Sequence, residues 1–342
     1  MSRITEREKE ILKLLKNDPM ISQEELAGLM GITRSAAAVH ISNLIKKGFI
    51  LGRGYVFNDK TGVLVIGRVL VEIEAGGEEK ESGSSFIDIE PGGTGYLIAS
   101  HLASQEIPTL LMSVIGRDEW GGIIGEKLKK SGVDVRYLMI QNKFPTPRRV
   151  ILTTGQSSRE NMITDARAME AISGNSLHTL GITIDNCRMV ILDSDIPPGV
   201  FTQILRMAGD AGIPLCIRLS EEQTDLVHRD DLPGVFMTVM PAPAAEAVSG
   251  LRIRHIEDAM EAAREINRLG VEISAVVLAD QGVALAYNKG TVSVPIMPVQ
   301  DKTGKFSLDI FTAGLVSGIL QGYDHRQAVR FGMGIAVCRV RK

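Results

Sequence analysis

Two glycine-rich segments of the sequence have residue types suited to holding phosphate: EPGGTG at 90–95 and DKTGKFSLD at 301–309. Glycine lets backbone N–H groups approach phosphate oxygens closely, and the second segment continues into FTAG, which is typical of the first turn of a helix. Neither is a Walker loop, because GxxxxGK[ST] does not occur, and no GxGxxG opens a helix after a strand. The question is therefore whether these segments form a working phosphoryl-transfer site or only part of one.

The elements that would position such segments alternate along most of the chain. Short apolar runs such as TLLMSVIG, RMVILDSD and SAVVLAD are separated by amphipathic stretches at 119–131, 199–209 and 257–269. This alternation predicts a mostly parallel sheet covered by helices on both faces, with ligands at the carboxyl ends of the strands. Polar alternation at 71–90 and 146–164 predicts a second, small sheet that projects as a lid.

The composition of the 342 residues is typical of a globular protein, with 44% hydrophobic and 23% charged residues. No segment approaches the roughly 18 uninterrupted apolar residues of a membrane helix, and the N-terminus lacks the apolar core of a signal peptide. We therefore expect a cytoplasmic location and no membrane partner. Cys187, Cys216 and Cys338 lie far apart without metal-ligand spacing, which predicts reduced, buried thiols and no metal site.

The first sixty residues differ from the rest in charge and pattern. They hold ten Lys and Arg against seven Asp and Glu, whereas the whole chain has a net charge of −3. Two predicted helices each begin with a capping box, Thr5 with Glu8 and Ser22 with Glu25, and the second ends at Gly31. A helix, a short glycine turn and a further helix form the helix-turn-helix pattern.

A third helix and a hairpin complete this region. Thr33 can cap RSAAAVHISNLIKKG, and FILGRGYVF then alternates around a Gly-Arg-Gly tip. Residues 4–57 resemble a winged helix-turn-helix DNA-binding domain, to which we assign residues 1–59. The resemblance implies that DNA is a partner and that the third helix enters the major groove, although an ordinary exposed role explains His40 equally well. The expected DNA contacts are Arg34, Ser35, His40, Asn43, Lys46, Lys47 and Arg53.

The second region resembles a known family of enzymes. PGGTGYLIASHLASQEIPTLLMSVIGRDEWGGIIGEKLKKSGVDV and DKTGKFSLDIFTAGLVSGIL resemble, in content and spacing, the two signatures of the ribokinase-like (PfkB) carbohydrate kinases. We assign residues 60–342 to this domain, whose expected fold is a three-layer α/β/α sandwich with a small β lid. The resemblance implies phosphorylation of a sugar or nucleoside by MgATP, with an Asp as base and a Gly-Ala-Gly-Asp loop as anion hole.

The family pattern assigns candidate roles residue by residue. Asp309 stands where the family has its catalytic base, although a helix N-cap would explain an Asp there equally well. The candidate phosphate-binding residues are Thr303, Gly304 and Lys305. The candidate contacts to the substrate or effector are Glu72, Gly92, Gly93, Thr94 and Arg149, although an exposed charge on an edge strand would also explain Arg149.

Several of these positions depart from the family pattern. The anion-hole loop becomes Gly304-Lys305-Phe306-Ser307-Leu308-Asp309, two residues longer and with two bulky apolar side chains. The Asn-x-x-Glu of the magnesium shell falls on Pro241 to Ala244, with Glu246 two residues further on, and the substrate motif Asn-x-Asp becomes Leu70-Val71-Glu72. Because phosphoryl transfer depends on positioning, these losses together predict a pseudokinase that binds without efficient catalysis.

Three functions remain open from the sequence. The first is a homodimeric transcriptional regulator whose kinase-like domain senses a sugar, a nucleoside or a phosphorylated metabolite. The second is an active carbohydrate or nucleoside kinase with a DNA-binding domain, which would need ATP and Mg²⁺ as cofactors. The third is a kinase relative whose N-terminal helices mediate only dimerisation. The number of altered positioning groups favours the regulator.

Overall fold

The computed structural model divides the chain into two compact units, Met1–Thr61 and Gly62–Lys342, two residues after the boundary expected from the sequence. Among the residues that it describes, no helix is long and apolar enough to cross a membrane. The described residues are 5–18, 21–47, 49–52, 56–57, 62–77, 85–154, 161–178, 180–221, 229–296 and 306–337.

The first unit consists of three helices and a two-stranded wing. Both predicted capping boxes are confirmed, Gly31 adopts the left-handed conformation with φ 61°, and Thr33 caps the third helix. Leu15, Leu26 and Leu44 are fully buried where the helices meet. The elements are α1 (Glu6–Asn17), α2 (Gln23–Met30), α3 (Arg34–Lys46), β1 (Ile50–Gly52) and β2 (Val56–Phe57).

The second unit is built on a nine-stranded sheet. In order across the sheet, the strands are β15-β14-β13-β12-β11-β10-β3-β6-β7, and the seven strands from β13 to β7 are parallel. The strands are β3 (Gly62–Ile66), β6 (Thr109–Gly116), β7 (Asp134–Gln141), β10 (Cys187–Asp193), β11 (Leu215–Arg218), β12 (Met237–Pro241), β13 (Ile273–Leu278), β14 (Gly282–Tyr287) and β15 (Gly290–Pro295).

Helices cover both faces of this sheet, as the apolar character of the strands predicts. Neighbouring side chains of β3 point to opposite cores, Val63 and Val65 to one and Leu64 and Ile66 to the other. The helices on the first face are α4 (Thr94–Ser104), α5 (Glu119–Lys130), α11 (Leu308–Leu320) and α12 (His325–Val337). Those on the second face are α6 (Gly174–His178), α7 (Gly181–Asp185), α8 (Pro198–Ala211), α9 (Ala242–Ser249) and α10 (Ile256–Arg268).

Helix α11 is held in place by close packing against α12. A Cβ atom on Gly314 would lie 2.6 Å from the Cα atom of Gly332, and one on Gly318 would lie 2.9 Å from the Cα atom of Ala328. Such distances exclude side chains at these two glycines and let the two helix backbones touch. Helix α11, whose first turn contains Asp309, is thereby fixed relative to α12.

The predicted lid is a separate four-stranded sheet in the order β5-β4-β8-β9. Its strands are β4 (Leu70–Gly77), β5 (Ser85–Gly92), β8 (Arg148–Thr154) and β9 (Asn161–Asp165). Register places four apolar residues in one row across one face, and polar residues in the adjacent row on the other face. The apolar row is Ile89, Ile73, Val150 and Ile163, and the polar row is Glu90, Glu72, Arg149 and Thr164.

The sheet carries one feature that the sequence analysis did not predict. β14 and β15 continue it as an antiparallel hairpin beyond β13. The turn Tyr287-Asn288-Lys289-Gly290 is a hairpin signal, and Gly290 has a φ of 145°, in a region that disfavours other residues. The regular alternation of strands and helices was therefore an incomplete guide at this edge.

Candidate functional site

A cleft of about 580 Å³ lies at the carboxyl ends of the strands in the second unit. β11, β12 and β13 end at its wall, α11 contributes its N-terminus, and the lid contributes Arg149 and Met162. This is the location predicted for the ligands of a parallel sheet. The charged residues that line it are Arg68, Arg149, Arg218, Arg254, Asp195, Glu221, Asp280 and Asp309.

Asp309 lies in this cleft in contact with an arginine that the sequence analysis did not consider. Its Oδ1 atom is 2.7 Å from Nε of Arg218, the last residue of β11, and the two side chains are 14% and 13% exposed. The contact is not aligned as a hydrogen bond, and neither atom has a hydrogen-bond partner among the described residues. The candidate base is therefore held as one half of a partly buried ion pair.

The N-cap explanation for Asp309 is wrong. Ser307 is the N-cap of α11, and its hydroxyl accepts a hydrogen bond from the backbone N–H of Ile310 at 3.4 Å. Asp309 occupies the second helical position, where a carboxylate is favoured by the helix dipole. Its carboxylate is thus available to the cleft, apart from its contact with Arg218.

The apolar side chains around Asp309 form part of the cleft wall. Phe306 and Leu308 both line the cleft and pack against the core on the α11 side of the sheet, with the Phe306 and Phe311 ring centroids 5.8 Å apart. Bulky side chains in these positions limit how closely a phosphate could approach the backbone at the start of α11. The phosphate-binding candidates Thr303, Gly304 and Lys305 lie outside the described residues.

A buried charge cluster adjoins the cleft. Arg68 follows β3, and its Nε lies 3.4 Å from Oδ2 of Asp193 while its Nη2 contacts Asp195, to which the Ser220 hydroxyl also donates a hydrogen bond. Burial and the neighbouring Asp193 raise the pKa of Asp195, against the opposing effect of Arg68. The signal that could have found this cluster is the presence of charges at the ends of apolar runs, in VIGR and ILDSD.

Glu72 and Arg149 lie together on the face of the lid that turns toward the cleft. Nη1 of Arg149 is 3.9 Å from Oε1 of Glu72, and its Nε donates a hydrogen bond to the Thr164 hydroxyl at 3.0 Å. A Cβ atom on Gly92 would lie 2.5 Å from Oε2 of Glu72, so the glycine makes room for this carboxylate. The structure thus brings together three of the residues proposed as ligand contacts.

Gly93 and Thr94 serve the junction between the lid and α4. Gly93 has a φ of 90°, and a Cβ atom there would lie 2.7 Å from the carbonyl oxygen of Arg68. Thr94 is the first residue of α4, buried, and lines the cleft. Close backbone packing therefore explains Gly93, while Thr94 remains a candidate ligand contact.

In the first unit, the candidate functional surface is the exposed face of α3. Arg34, Ser35 and Lys46 are exposed, whereas His40 and Asn43 are half-buried. Val39, which is 58% exposed, and Ser42 were not predicted as contacts, but they lie between Ser35 and Lys46 on one helical stripe. The spacing of four, three and four residues could have revealed this stripe.

Lys47 and Arg53 differ from the other proposed DNA contacts in what the structure shows of them. Nζ of Lys47 lies 2.7 Å from Oε2 of Glu8, whose side chain is only 2% exposed. This pair ties α3 to α1, so contact of Lys47 with a phosphate would have to compete with a carboxylate. Arg53, at the tip of the wing, lies outside the described residues.

Models of two known protein families match this sequence, one in each unit of the chain. Residues 60–342 match the pfkB family carbohydrate kinase model, and residues 4–50 match a winged helix-turn-helix DNA-binding model. The chain belongs to the pfkB family of carbohydrate kinases. Its PfkB domain has the ribokinase-like fold expected from the sequence, and it follows an N-terminal winged helix domain.

Individual relatives support the same assignment. An uncharacterized sugar kinase of Escherichia coli (strain K12) is 26% identical over 335 residues, covering 96% of this chain and 92% of the relative. Pseudouridine kinase of the same organism is 25% identical over 283 residues, covering 81% and 89%. The structure of Arabidopsis thaliana ribokinase complexed with ribose and ATP superposes with a TM-score of 0.70 at 23% identity, covering 82% and 94%.

The positions set against the family's magnesium ligands carry no oxygen-bearing side chains in the PfkB domain. The described residues contain no group of three or more His, Cys, Asp or Glu residues placed to hold a metal ion. Pro241 and Ala244, onto which the sequence resemblance places the family's Asn-x-x-Glu, both have side chains without oxygen ligands. Glu246 is used structurally, because its carboxylate accepts a hydrogen bond of 2.6 Å from the backbone N–H of Ile253. Mg²⁺, which is bound through oxygen ligands, would therefore have to use other carboxylates of the cleft, such as Glu221 and Asp280.

Proposed function

We propose that the protein is a DNA-binding transcriptional regulator of the cytoplasm whose PfkB domain binds a sugar, a nucleoside or a phosphorylated metabolite without phosphorylating it efficiently. The observation that carries this proposal is the contact between Asp309 and Arg218. A general base must accept a proton from a hydroxyl within about 2.6–3.2 Å, and the guanidinium occupies one carboxylate oxygen. The family's base position is therefore held in an ion pair.

The missing magnesium ligands act in the same direction. Phosphoryl transfer from ATP depends on metal ions that bridge the phosphates and neutralise developing charge. With Pro241 and Ala244 at the positions set against the family's ligands, the motif that would orient that metal supplies no oxygen. Ligand binding, in contrast, needs only the shaped cleft and its polar wall.

The winged helix domain supplies the proposed output. The stripe of Ser35, Val39, Ser42 and Lys46 gives α3 hydroxyls, a methyl-bearing side chain and a cation, which are side chains suited to base edges and phosphates. Arg34, at the start of α3, adds a second exposed cation. A small basic domain with this helix is suited to reading the major groove.

A homodimer is the proposed assembly. Two reading helices are needed for half-sites about 34 Å apart. The lid supplies an apolar face for the second copy, since Ile87, Leu152 and Ile163 are 69%, 40% and 70% exposed on the face opposite Arg149. Exposed apolar patches of this kind mark interaction surfaces, and one patch that meets its own copy gives a closed two-fold dimer.

The DNA-binding role is tested by selecting binding sites from random duplexes with the full-length protein and measuring affinity by fluorescence anisotropy. Arg34→Ala and Lys46→Ala should each weaken binding several-fold and reduce the salt dependence, because each removes a contact to the phosphates or bases. Lys129→Ala in α5 is the matched control, since it removes an exposed lysine of the PfkB domain. Failure to enrich any sequence would refute the regulator.

The alternative function is active phosphoryl transfer. It is supported by the similarity to relatives that are named as kinases. The test is ADP formation from MgATP with ribose, guanosine, inosine and pseudouridine as acceptors. The regulator predicts no turnover above the level of Asp309→Asn. Turnover that disappears in Asp309→Asn would establish a kinase and displace the proposal.

A further inference from the structure

Three of the four arginines that line the cleft differ in the groups that compensate their charge. Arg68 contacts two buried carboxylates, those of Asp193 and Asp195. Arg149 is shared between Glu72 and the Thr164 hydroxyl. Arg218 is in direct contact with the carboxylate of Asp309, and its charge also acts on the nearby Asp195.

The pair of Arg218 and Asp309 is suited to exchange of partners. Its two facing atoms are 2.7 Å apart but are not aligned as a hydrogen bond, and both are buried. A guanidinium binds an oxyanion most strongly through two parallel N–H donors, which this arrangement does not achieve. An oxyanion that enters the cleft could offer Arg218 better geometry than Asp309 does.

We propose that Arg218 is the receptor for the oxyanion of a small, sugar-like ligand, and that Asp309 is the carboxylate which this ligand displaces. The proposal rests on the ligand-binding role proposed above for the same cleft. It replaces the role of Asp309 as a base with that of a competitor, which holds Arg218 in the absence of ligand. The class of ligand is therefore anionic, a sugar phosphate or a sugar acid, and a neutral sugar would bind more weakly.

The two roles of Asp309 make opposite predictions for one substitution. If Asp309 competes with the ligand, Asp309→Asn removes the competing charge and leaves Arg218 to the oxyanion, so the affinity for an anion rises. If Asp309 binds or activates a ligand hydroxyl, the same substitution removes that interaction, and affinity or turnover falls. The sign of the change therefore decides between the two roles.

Isothermal titration calorimetry on the full-length protein without DNA tests the proposal, with ribose, ribose 5-phosphate, gluconate and inorganic phosphate as probes at one ionic strength. We expect either ribose 5-phosphate or gluconate to bind at least tenfold more tightly than ribose, which identifies the phosphate or the carboxylate as the anion. Asp309→Asn should tighten the binding of that anion about tenfold, and Arg218→Gln should weaken it at least tenfold. Binding of inorganic phosphate with the same affinity as ribose 5-phosphate would show a site for the free ion and would refute a sugar-like ligand.

Two further variants keep the test decisive. Arg218→Lys retains the charge but not the fork of donors, so it should bind the anion with an affinity between those of wild type and Arg218→Gln. Arg264→Gln is the matched control, because it breaks an arginine–carboxylate pair of 2.7 Å with Glu261 on α10, outside the cleft. If Arg218→Gln fails to fold, the sign of the Asp309→Asn effect still decides.

Failure of this inference is distinguishable from failure of the proposed function. Weaker or unchanged anion binding in Asp309→Asn would overturn the inference, even for a protein that binds DNA specifically. The absence of anion binding in wild type and in both variants would overturn it as well. Turnover of MgATP that depends on Asp309 would instead refute the proposed function together with the inference.

Discussion

The ion pair between Glu8 and Lys47 shows how one residue can look like a DNA contact and serve the fold. Lys47 follows α3, the helix proposed to contact DNA, but its ammonium contacts both carboxylate oxygens of Glu8 at 2.9 and 2.7 Å. The Glu8 carboxylate also accepts a hydrogen bond from the backbone N–H of Thr5 in the capping box. One carboxylate therefore completes the N-terminus of α1 and connects it to the end of α3.

This arrangement predicts a pH dependence for the winged helix domain. Burial acts to raise the pKa of Glu8, but Lys47 and the hydrogen bonds from Thr5 outweigh it and lower the pKa below its usual value of 4.5. A lowered pKa in the folded state stabilises that state above pH 4.5, and the stabilisation is lost as the pH falls through the lowered pKa. Glu8→Gln should destabilise the domain by about 1–2 kcal/mol at neutral pH and by little in acid.

Hydrogen–deuterium exchange of peptides from α1 and α3 measures this effect, because comparison of wild type with Glu8→Gln at each pH cancels the intrinsic exchange rate. Glu25→Gln in α2 is a control, since Glu25 belongs to the exposed capping box that has no lysine partner among the described contacts. Equal loss of protection in the two variants would show that capping alone, and not the contact with Lys47, carries the effect.

Also at the scale of residues, the sequence indicated Asp309 as a candidate but not Arg218, with which it forms an ion pair. A carboxylate at a known motif position can be found from local sequence, because the motif itself specifies the position. Arg218 ends a short apolar run, and its contact with Asp309 depends on the proximity of β11 to the N-terminus of α11. Such pairs follow from strand order and helix packing, which local periodicity does not encode.

At the scale of elements, the sequence pattern predicted that the lid is a sheet but not how it is oriented. The alternation of residues in β4 and β8 predicted a two-faced sheet, and the structure confirms it. The sequence could not show which face turns toward the cleft, because that depends on how the lid is attached to the main sheet. Met162 and Arg149 line the cleft, so the row of Ile89, Ile73, Val150 and Ile163 lies on the opposite face.

The orientation of the lid predicts which substitutions separate the proposed dimer. Ile163→Asp should convert it to a monomer, because a carboxylate buried between two apolar sheets would lack a partner. The side chain is 70% exposed within one chain, so the fold of the monomer should tolerate the change. Analytical ultracentrifugation measures the mass of each variant.

The control for the lid is an exposed isoleucine on another strand. Ile140 of β7 is 59% exposed at the edge of the large sheet, and Ile140→Asp should leave the dimer intact. A monomeric Ile140→Asp with a dimeric Ile163→Asp would place the interface at β7. A monomeric wild type would remove the dimer from the proposed mechanism.

At the scale of the whole molecule, a DNA-binding domain and a ligand-binding domain on one chain make a regulator only if their affinities are coupled. Coupling is a free energy shared by both ligands, so it must be reciprocal. If a sugar-like anion changes the affinity for DNA by some factor, DNA must change the affinity for the anion by the same factor. A protein with two independent domains would show a factor of one in both directions.

We therefore predict that the anion identified by calorimetry changes the affinity for the selected DNA duplex by a factor on the order of 5–150. The duplex should change the affinity for the anion by the same factor. Fluorescence anisotropy with and without the anion gives one factor, and calorimetry with and without DNA gives the other. The coupling should disappear in Arg218→Gln, since that variant lacks the proposed anion receptor, and should persist in Arg264→Gln. A factor that persists in Arg218→Gln would show that the anion acts on the DNA-binding domain directly, because the winged helix domain carries exposed cations of its own on α3.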